Sequence, residues 1–186
     1  MREMNWSRRE MLLAASASLT LPALAAQIPR PAPNLKFRIP GSGEVMLSRY
    51  KGKVIGLEFL ITTCPGCQRC SRLMQQMYRE FGQHGFQPLG IATNAQNEEQ
   101  AARLVPEYVT NLGLAFPVGW VLNSVAHEFL QHPIMQTMYV PQLVFIDRSF
   151  VIRAQYGGRD PFFNNEESNM RSQIEELLKA QPARKS

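Results

Sequence analysis

The chain has 186 residues, 45% apolar and 19% charged, enough for one domain with its own core. Its net charge of +5 is mild, and no arginine-rich stripe interleaves with aromatics, which argues against nucleic-acid binding. The three cysteines all fall between positions 64 and 70, so they are no disulfide framework and read as a reactive cluster on a fold that stands without staples.

The N-terminus reads as an address label over residues 1–26. Asn5-Trp-Ser-Arg-Arg-Glu-Met11 is a basic lead, Met11 to Leu24 an apolar run, and Ala23-Leu-Ala-Ala26 a small-residue cleavage site. Roughly 14 apolar residues are too few to span a bilayer comfortably. Ser7-Arg8-Arg9-Glu10-Met11-Leu12 is similar to the twin-arginine export motif, with Met11 where Phe is usual; an ordinary secretory signal is the alternative. The expected location is therefore periplasmic or secreted. Left uncleaved, the segment would give N-terminal membrane association. Its removal takes away Arg2, Arg8 and Arg9 against Glu3 and Glu10, leaving about +4.

Residues 27–34 form a proline-rich linker, expected to be extended. The domain proper is expected over 35–181, with a short tail at 182–186. Leu35–Ile39 and Val45–Leu47 flank Gly41-Ser-Gly43, a hairpin signal. Val54 to Ile61 is apolar on both faces apart from Glu58, as a buried parallel strand should be. A helix follows from Pro65 to Phe81, with Cys67, Cys70, Met74, Met77 and Tyr78 on its apolar stripe. Next come a strand at Phe86–Ala92 and a helix from Asn97 to Leu112, which Pro106 should kink or split. A short strand is expected at Leu114–Val118 and a helix at Leu122–Gln131. Two strands, Gln142–Ile146 and Val151–Gln155, and an amphipathic helix over 164–180 close the chain. This alternation predicts an α/β single domain.

Chemistry concentrates where the Val54–Ile61 strand ends. Cys64-Pro65-Gly66-Cys67 opens a helix directly after it, the layout of a thiol redox site. Pro65 suits the first helical turn, where a missing N–H costs nothing. Cys64 then stands at the helix start, where free N–H groups and the positive dipole end favour a thiolate. Cys64 is the expected nucleophile and Cys67, one turn in, the resolving thiol. Glu58, buried in an apolar strand, should have a raised pKa and could accept the Cys67 proton. The bland alternative makes Glu58 an edge carboxylate paired with Lys53 or Arg153. Cys70 completes a C-x-x-C-x-x-C run, but an iron–sulfur cluster needs a fourth cysteine; Cys70 reads as a small core residue, with a second disulfide partner for Cys67 as the minority view. His84, His127 and His132 read as surface or helix-end residues, and His127 and His132 are spaced wrongly for one helical face. Neither metal nor cofactor is expected. Arg69 and Arg72 could add positive potential near Cys64, and Met135 and Met138 could form a soft apolar rim for a partner chain.

Taken together, Cys64-Pro-Gly-Cys67, Glu58 upstream, Val140-Pro141 and the closing Leu143-Val-Phe-Ile-Asp147 and Val151-Ile-Arg153 resemble the thioredoxin superfamily. The exported TlpA/ResA-like branch is nearest, over roughly Leu35 to Leu178. The resemblance implies a thioredoxin fold, a mixed central sheet flanked by helices with an N-terminal β-hairpin extension. It also implies a cis Val140–Pro141 bond that sets the Val140 backbone beside the dithiol, where a client segment would pair. Thr63, Pro65, Gly66 and Val140 then form the client-binding surface. The implied activity is exchange of a dithiol for a disulfide with extracytoplasmic protein clients, such as apo-cytochrome c, supplied by a membrane thiol donor. Thr63 stands where the branch usually has Trp, and Pro65-Gly66 where it usually has Pro-Pro or Glu-Pro. Glu58 matches the buried acid of cytosolic thioredoxin better than the Asn common in this branch.

Two rivals share the fold. A peroxiredoxin needs Pro-x-x-x-Thr-x-x-Cys, whereas Leu57 and Ile61 occupy the Pro and Thr positions before Cys64. A copper metallochaperone of the Sco type uses C-x-x-x-C with a late His, one residue longer than the spacing here.

Overall fold

Strand β4 (Val54–Leu60) is the central support, buried at every position. It pairs in parallel with β5 (Phe86–Ala92) on one edge and antiparallel with β7 (Gln142–Ile146) on the other. The computed structural model describes residues 27–180 and adds β1 (Arg30–Pro31), β2 (Lys36–Ile39), β3 (Gly43–Met46), β6 (Val118–Trp120) and β8 (Val151–Tyr156). The eight strands form one mixed sheet in the order β1-β8-β7-β4-β5-β6-β2-β3. Helices α1 (Pro65–Phe81), α2 (Glu98–Leu112), α3 (Asn123–Leu130) and α4 (Glu166–Lys179) flank it. This is the helix-flanked mixed sheet with an N-terminal hairpin that the resemblance implies.

Alternation along β4 sorts its side chains between two cores. Val54 and Leu60 join the core shared with α1, α2 and α4. Ile55, Leu57 and Phe59 join the core under α3 and the β2–β3 hairpin. Glu58 has the parity of Val54 and Leu60 and so points beneath α1.

Four differences from the sequence expectations have physical causes. The strand expected at Leu114–Val118 lies instead at Val118–Trp120, because Pro117 has no N–H to give and the parallel ladder starts after it. Pro106 does not split α2: Pro106 and Ala102, whose carbonyl loses its helical donor, are both on the exposed face where water can serve it. Within the stretch read as a linker, Arg30 and Pro31 pair with β8, and Arg30 and Ala32 are buried. The loop after α3 turns through Gln131 in the left-handed region (φ 52°), which brings His132 back onto His127 with ring centroids 5.1 Å apart. His127 is therefore buried in the last turn of α3, the helix-end placement rather than the surface one. The export signal at 1–26 and the tail at 182–186 lie outside the described residues.

The β2–β3 hairpin reaches the sheet through Arg38 opposite Trp120. That approach depends on Gly119, where a Cβ would stand 2.6 Å from Phe37 Cδ2 and 2.7 Å from the Arg38 carbonyl oxygen. Gly119→Ala is therefore expected to destabilise the protein by about 1–3 kcal/mol, read from urea unfolding midpoints, by forcing the hairpin away from β6.

Candidate active site

Ile61 to Cys64 bridge the end of β4 and the start of α1, and Thr62 and Cys64 are held. The Thr62 N–H donates to Asn94 Oδ1 at 3.3 Å, Asn94 Nδ2 donates to Thr62 Oγ1 at 3.0 Å, and Gln68 Nε2 donates to the Thr62 carbonyl at 3.1 Å. The Cys64 N–H donates to the Ile61 carbonyl at 3.0 Å. These bonds fix Cys64 as the N-cap of α1, in extended backbone (φ −79°, ψ 119°), with Pro65 at the first helical position. The Cys67 N–H, one of the free donors of a helix start, points at Cys64 Sγ across 3.4 Å. Cys64 is partly exposed and Cys67 fully buried behind it.

The client-facing residues predicted from sequence come together around Cys64. Thr63 and Pro65 are exposed, and Gly66 and Val140 half-buried. The Val140–Pro141 bond is cis. A Cβ placed on Gly66 would lie 3.7 Å from both Cys64 Sγ and Pro141 Cδ, so the proline faces the sulfur across the bare glycine. Behind it, Gly158 approaches so closely that a Cβ there would collide with the Val140 carbonyl, and its N–H donates to the Tyr139 carbonyl at 2.9 Å. Ile134 and Met135, by contrast, stand out in solvent at 74% and 94% exposure, ahead of Val140.

Beneath the dithiol lies a polar cluster closed off from solvent. Glu58 is fully buried, and the edge pairing with Lys53 or Arg153 does not form: Lys53 reaches Gln87 and Arg153 pairs with Asp147. Ser71 Oγ donates to Glu58 Oε2 at 2.6 Å and lies 2.8 Å from Tyr108 Oη. Burial, opposed by the Ser71 hydrogen bond, pushes the Glu58 carboxyl up to about 8. Burial also holds the Cys67 thiol above its ordinary value, reinforced by the Glu58 charge. Cys70 is a core residue with a thiol raised well above the usual range by burial, lodged beside both Glu58 and Glu166. Glu166, buried at the start of α4, is paired with Arg69 Nε at 2.8 Å. Arg69 is thus paired with Glu166 and still lies within electrostatic reach of Cys64.

Ser71, Tyr108 and Glu166 are the members that sequence reading missed. Ser71 sits four residues after Cys67 on the same buried helix face, and a polar residue in that stripe was the available clue. Tyr108 follows Ala101 and Val105 at helical spacing and looks like plain core. Nothing near Glu166 in sequence announces its contact with α1.

A carboxyl that keeps its proton to about pH 8 when folded, against an ordinary 4.5, favours the folded state at low pH. That stability is full below the unfolded value and is lost as pH rises through the folded one. Urea unfolding across pH 5 to 9 should show the wild type weakening relative to Glu58→Gln, with the divergence levelling off above about pH 8.

Residues 28–155 match the AhpC/TSA family model. The chain is 24% identical over 127 residues to Protein DipZ of Mycobacterium tuberculosis, covering 66% of this chain and 18% of that protein. It is 34% identical over 74 residues to the thiol-disulfide oxidoreductase ResA of Halalkalibacterium halodurans, covering 40% of this chain and 39% of that one. It thus spans well under half the length of either relative. In architecture it is similar to the crystal structure of a thiol:disulfide interchange protein of the thioredoxin family from Chlorobium tepidum TLS, with a TM-score of 0.65 at 22% identity over 83% of this chain and 99% of that chain. The matched span takes in β4, the Cys64–Cys67 helix start, the cis-proline and nearly all of β8, and the chain belongs to the AhpC/TSA family, with a thioredoxin-like fold.

Proposed function

We propose that the chain is a thiol-disulfide oxidoreductase whose Cys64–Cys67 pair exchanges electrons with protein clients outside the cytoplasm. The observation that carries this reading is the pairing of one partly exposed sulfur at a helix start with a second, buried sulfur one turn behind it. In the reducing direction the Cys64 thiolate attacks a client disulfide, forming a Cys64–client bond and releasing one client thiolate. In molecules whose Glu58 is ionised, Cys67 then loses its proton to that carboxylate. Its sulfur attacks Cys64, closing the Cys64–Cys67 disulfide and expelling the second client thiolate. Two electrons pass to the client, whose thiolates take protons from water.

The Val140 backbone has no ladder partner across from Cys64, since β7 begins only at Gln142. It is the natural place for an extended client segment to add two main-chain hydrogen bonds. Thr63, Pro65 and Gly66 line the other side. Thr63 offers a small polar surface where a tryptophan would give a broad apolar one, which favours clients with little aromatic bulk beside the cysteine. The leader at 1–26 supports a periplasmic site of action, with a membrane thiol donor to reset the pair and proteins such as apo-cytochrome c among the clients.

The test is trapping. Incubated with a periplasmic extract, Cys67→Ser should accumulate mixed disulfides through Cys64, identified by mass spectrometry of the linked peptides, and Cys64→Ser should yield none. Equal trapping by both variants would refute the assignment of nucleophile. Cys70→Ser should keep its exchange activity with oxidised glutathione and lose thermal stability, because the thiol belongs to the packed interior rather than to the exposed pair.

A further inference from the structure

The disulfide-closing step leaves a proton on a carboxyl with no contact to solvent. Glu58 is 0% exposed, and every turnover must return it to its ionised form. Ser71 hydrogen-bonds its carboxylate through Oε2, the Cys70 thiol lies close enough to interact with it, and Oε1 has no hydrogen-bond partner among the described residues. One oxygen is thus free to receive a proton and the other is wired to a hydroxyl.

From Ser71 the wire continues. Ser71 Oγ and Tyr108 Oη are 2.8 Å apart, and either can donate. Tyr108 in turn lines a cleft of about 270 Å³ between the start of α1 and α2, together with Thr62, Thr63, Gln68, Arg72 and Glu107. The cleft begins at the two residues that precede Cys64.

We propose that Ser71 and Tyr108 are a proton relay, carrying the proton that Cys67 gives to Glu58 through Ser71 Oγ and Tyr108 Oη into the α1–α2 cleft. This rests on Glu58 being the acceptor for Cys67. With Glu58 ionised, Tyr108 donates to Ser71 and Ser71 to the carboxylate. With Glu58 protonated on Oε1, the carboxyl turns to bring that proton to the Ser71 side, and the three donors reverse: the carboxyl donates to Ser71, Ser71 to Tyr108, and Tyr108 hands its proton to cleft water. Each group gives one proton and gains one, so the pair ends unchanged and needs no further reactant. Burial holds the Tyr108 phenol in its neutral form, which suits a group that must both accept and donate.

The surroundings of Glu58 offer one competing way out. Cys64, Cys67 and Cys70 face it from α1, Tyr108 from α2 and Glu166 from α4. A path through Cys70 to Glu166 would end on a carboxylate already paired with Arg69.

The test uses the full-length reduced protein and hydroxyethyl disulfide. Rapid acid quench and mass spectrometry follow closure of the Cys64–Cys67 disulfide from the mixed disulfide, in H2O and in D2O. Tyr108→Phe and Ser71→Ala should each slow closure by about tenfold or more and enlarge its solvent isotope effect, because proton movement becomes limiting. Alkylation of Cys64 by iodoacetamide should stay at the wild-type rate. Wild-type closure and isotope effect in both variants would overturn the relay, as would slowing with an unchanged isotope effect, which marks only misplaced sulfurs. Slowing with an enlarged isotope effect in Glu166→Gln, but not in Tyr108→Phe, would move the exit to α4 and also overturn it. Glu58→Gln separates the two layers: if it closes at the wild-type rate, the acceptor itself is wrong; if it is slow while both relay variants are normal, only the relay fails.

Discussion

The hold on β4 from both sides governs the rest of the molecule. Parallel pairing with β5 and antiparallel pairing with β7 leave no freedom in where the strand ends. Four residues separate the strand from the helix, Ile61 to Cys64, and the bonds from Thr62 to Asn94 and Gln68 hold them in a fixed turn. Cys64 is the N-cap because the sheet delivers it there. The same strand carries Glu58 two residues before its end, on the face that α1 covers. One rigid element thus sets both the partly exposed sulfur and the acid beneath its partner.

The sequence made the covalent part of this site readable, since it is contiguous. A buried strand, a C-x-x-C and a proline at the first helical turn fall within 14 residues of one another, from Val54 to Cys67. Glu58 was readable for a related reason: a lone acid in an apolar strand is conspicuous. What could not be read was assembled from three elements. Ser71, Tyr108 and Glu166 come from α1, α2 and α4, and only the packing of those helices over β4 makes them neighbours of Glu58. The other misreadings share a cause, in that tertiary placement overrode a local rule. Pro117 delays β6, solvent excuses Pro106, and a left-handed Gln131 folds His132 onto His127.

Family membership leaves the chemistry to be argued from the site. A peroxidatic pattern would place a proline and a threonine seven and three residues before Cys64. Here those positions are Leu57, sealed in the core under α3, and Ile61. No hydroxyl from that strand reaches the sulfur, and the thiol within reach is Cys67, one helical turn away. The protein has kept the geometry of a dithiol and surrounded the inner thiol with acids: Glu58 beside it, Glu166 one shell further, Cys70 between them. Such a setting penalises negative charge on the inner sulfur.

The buried Arg30 ties this site to the first of the described residues. Its guanidinium donates to the Phe129 carbonyl at 2.9 Å and to Gln155 Oε1 at 3.0 Å, while Gln155 Nε2 donates to the Leu130 carbonyl at 2.9 Å. These are terminal carbonyls of α3, where a cation is well placed. From that helix end the chain runs directly to Val140. The proline-rich stretch that looks disposable is thus a clasp on the base of the loop that leads to Val140, and trimming the protein back to Asn34 would cut the clasp while sparing every residue of the dithiol.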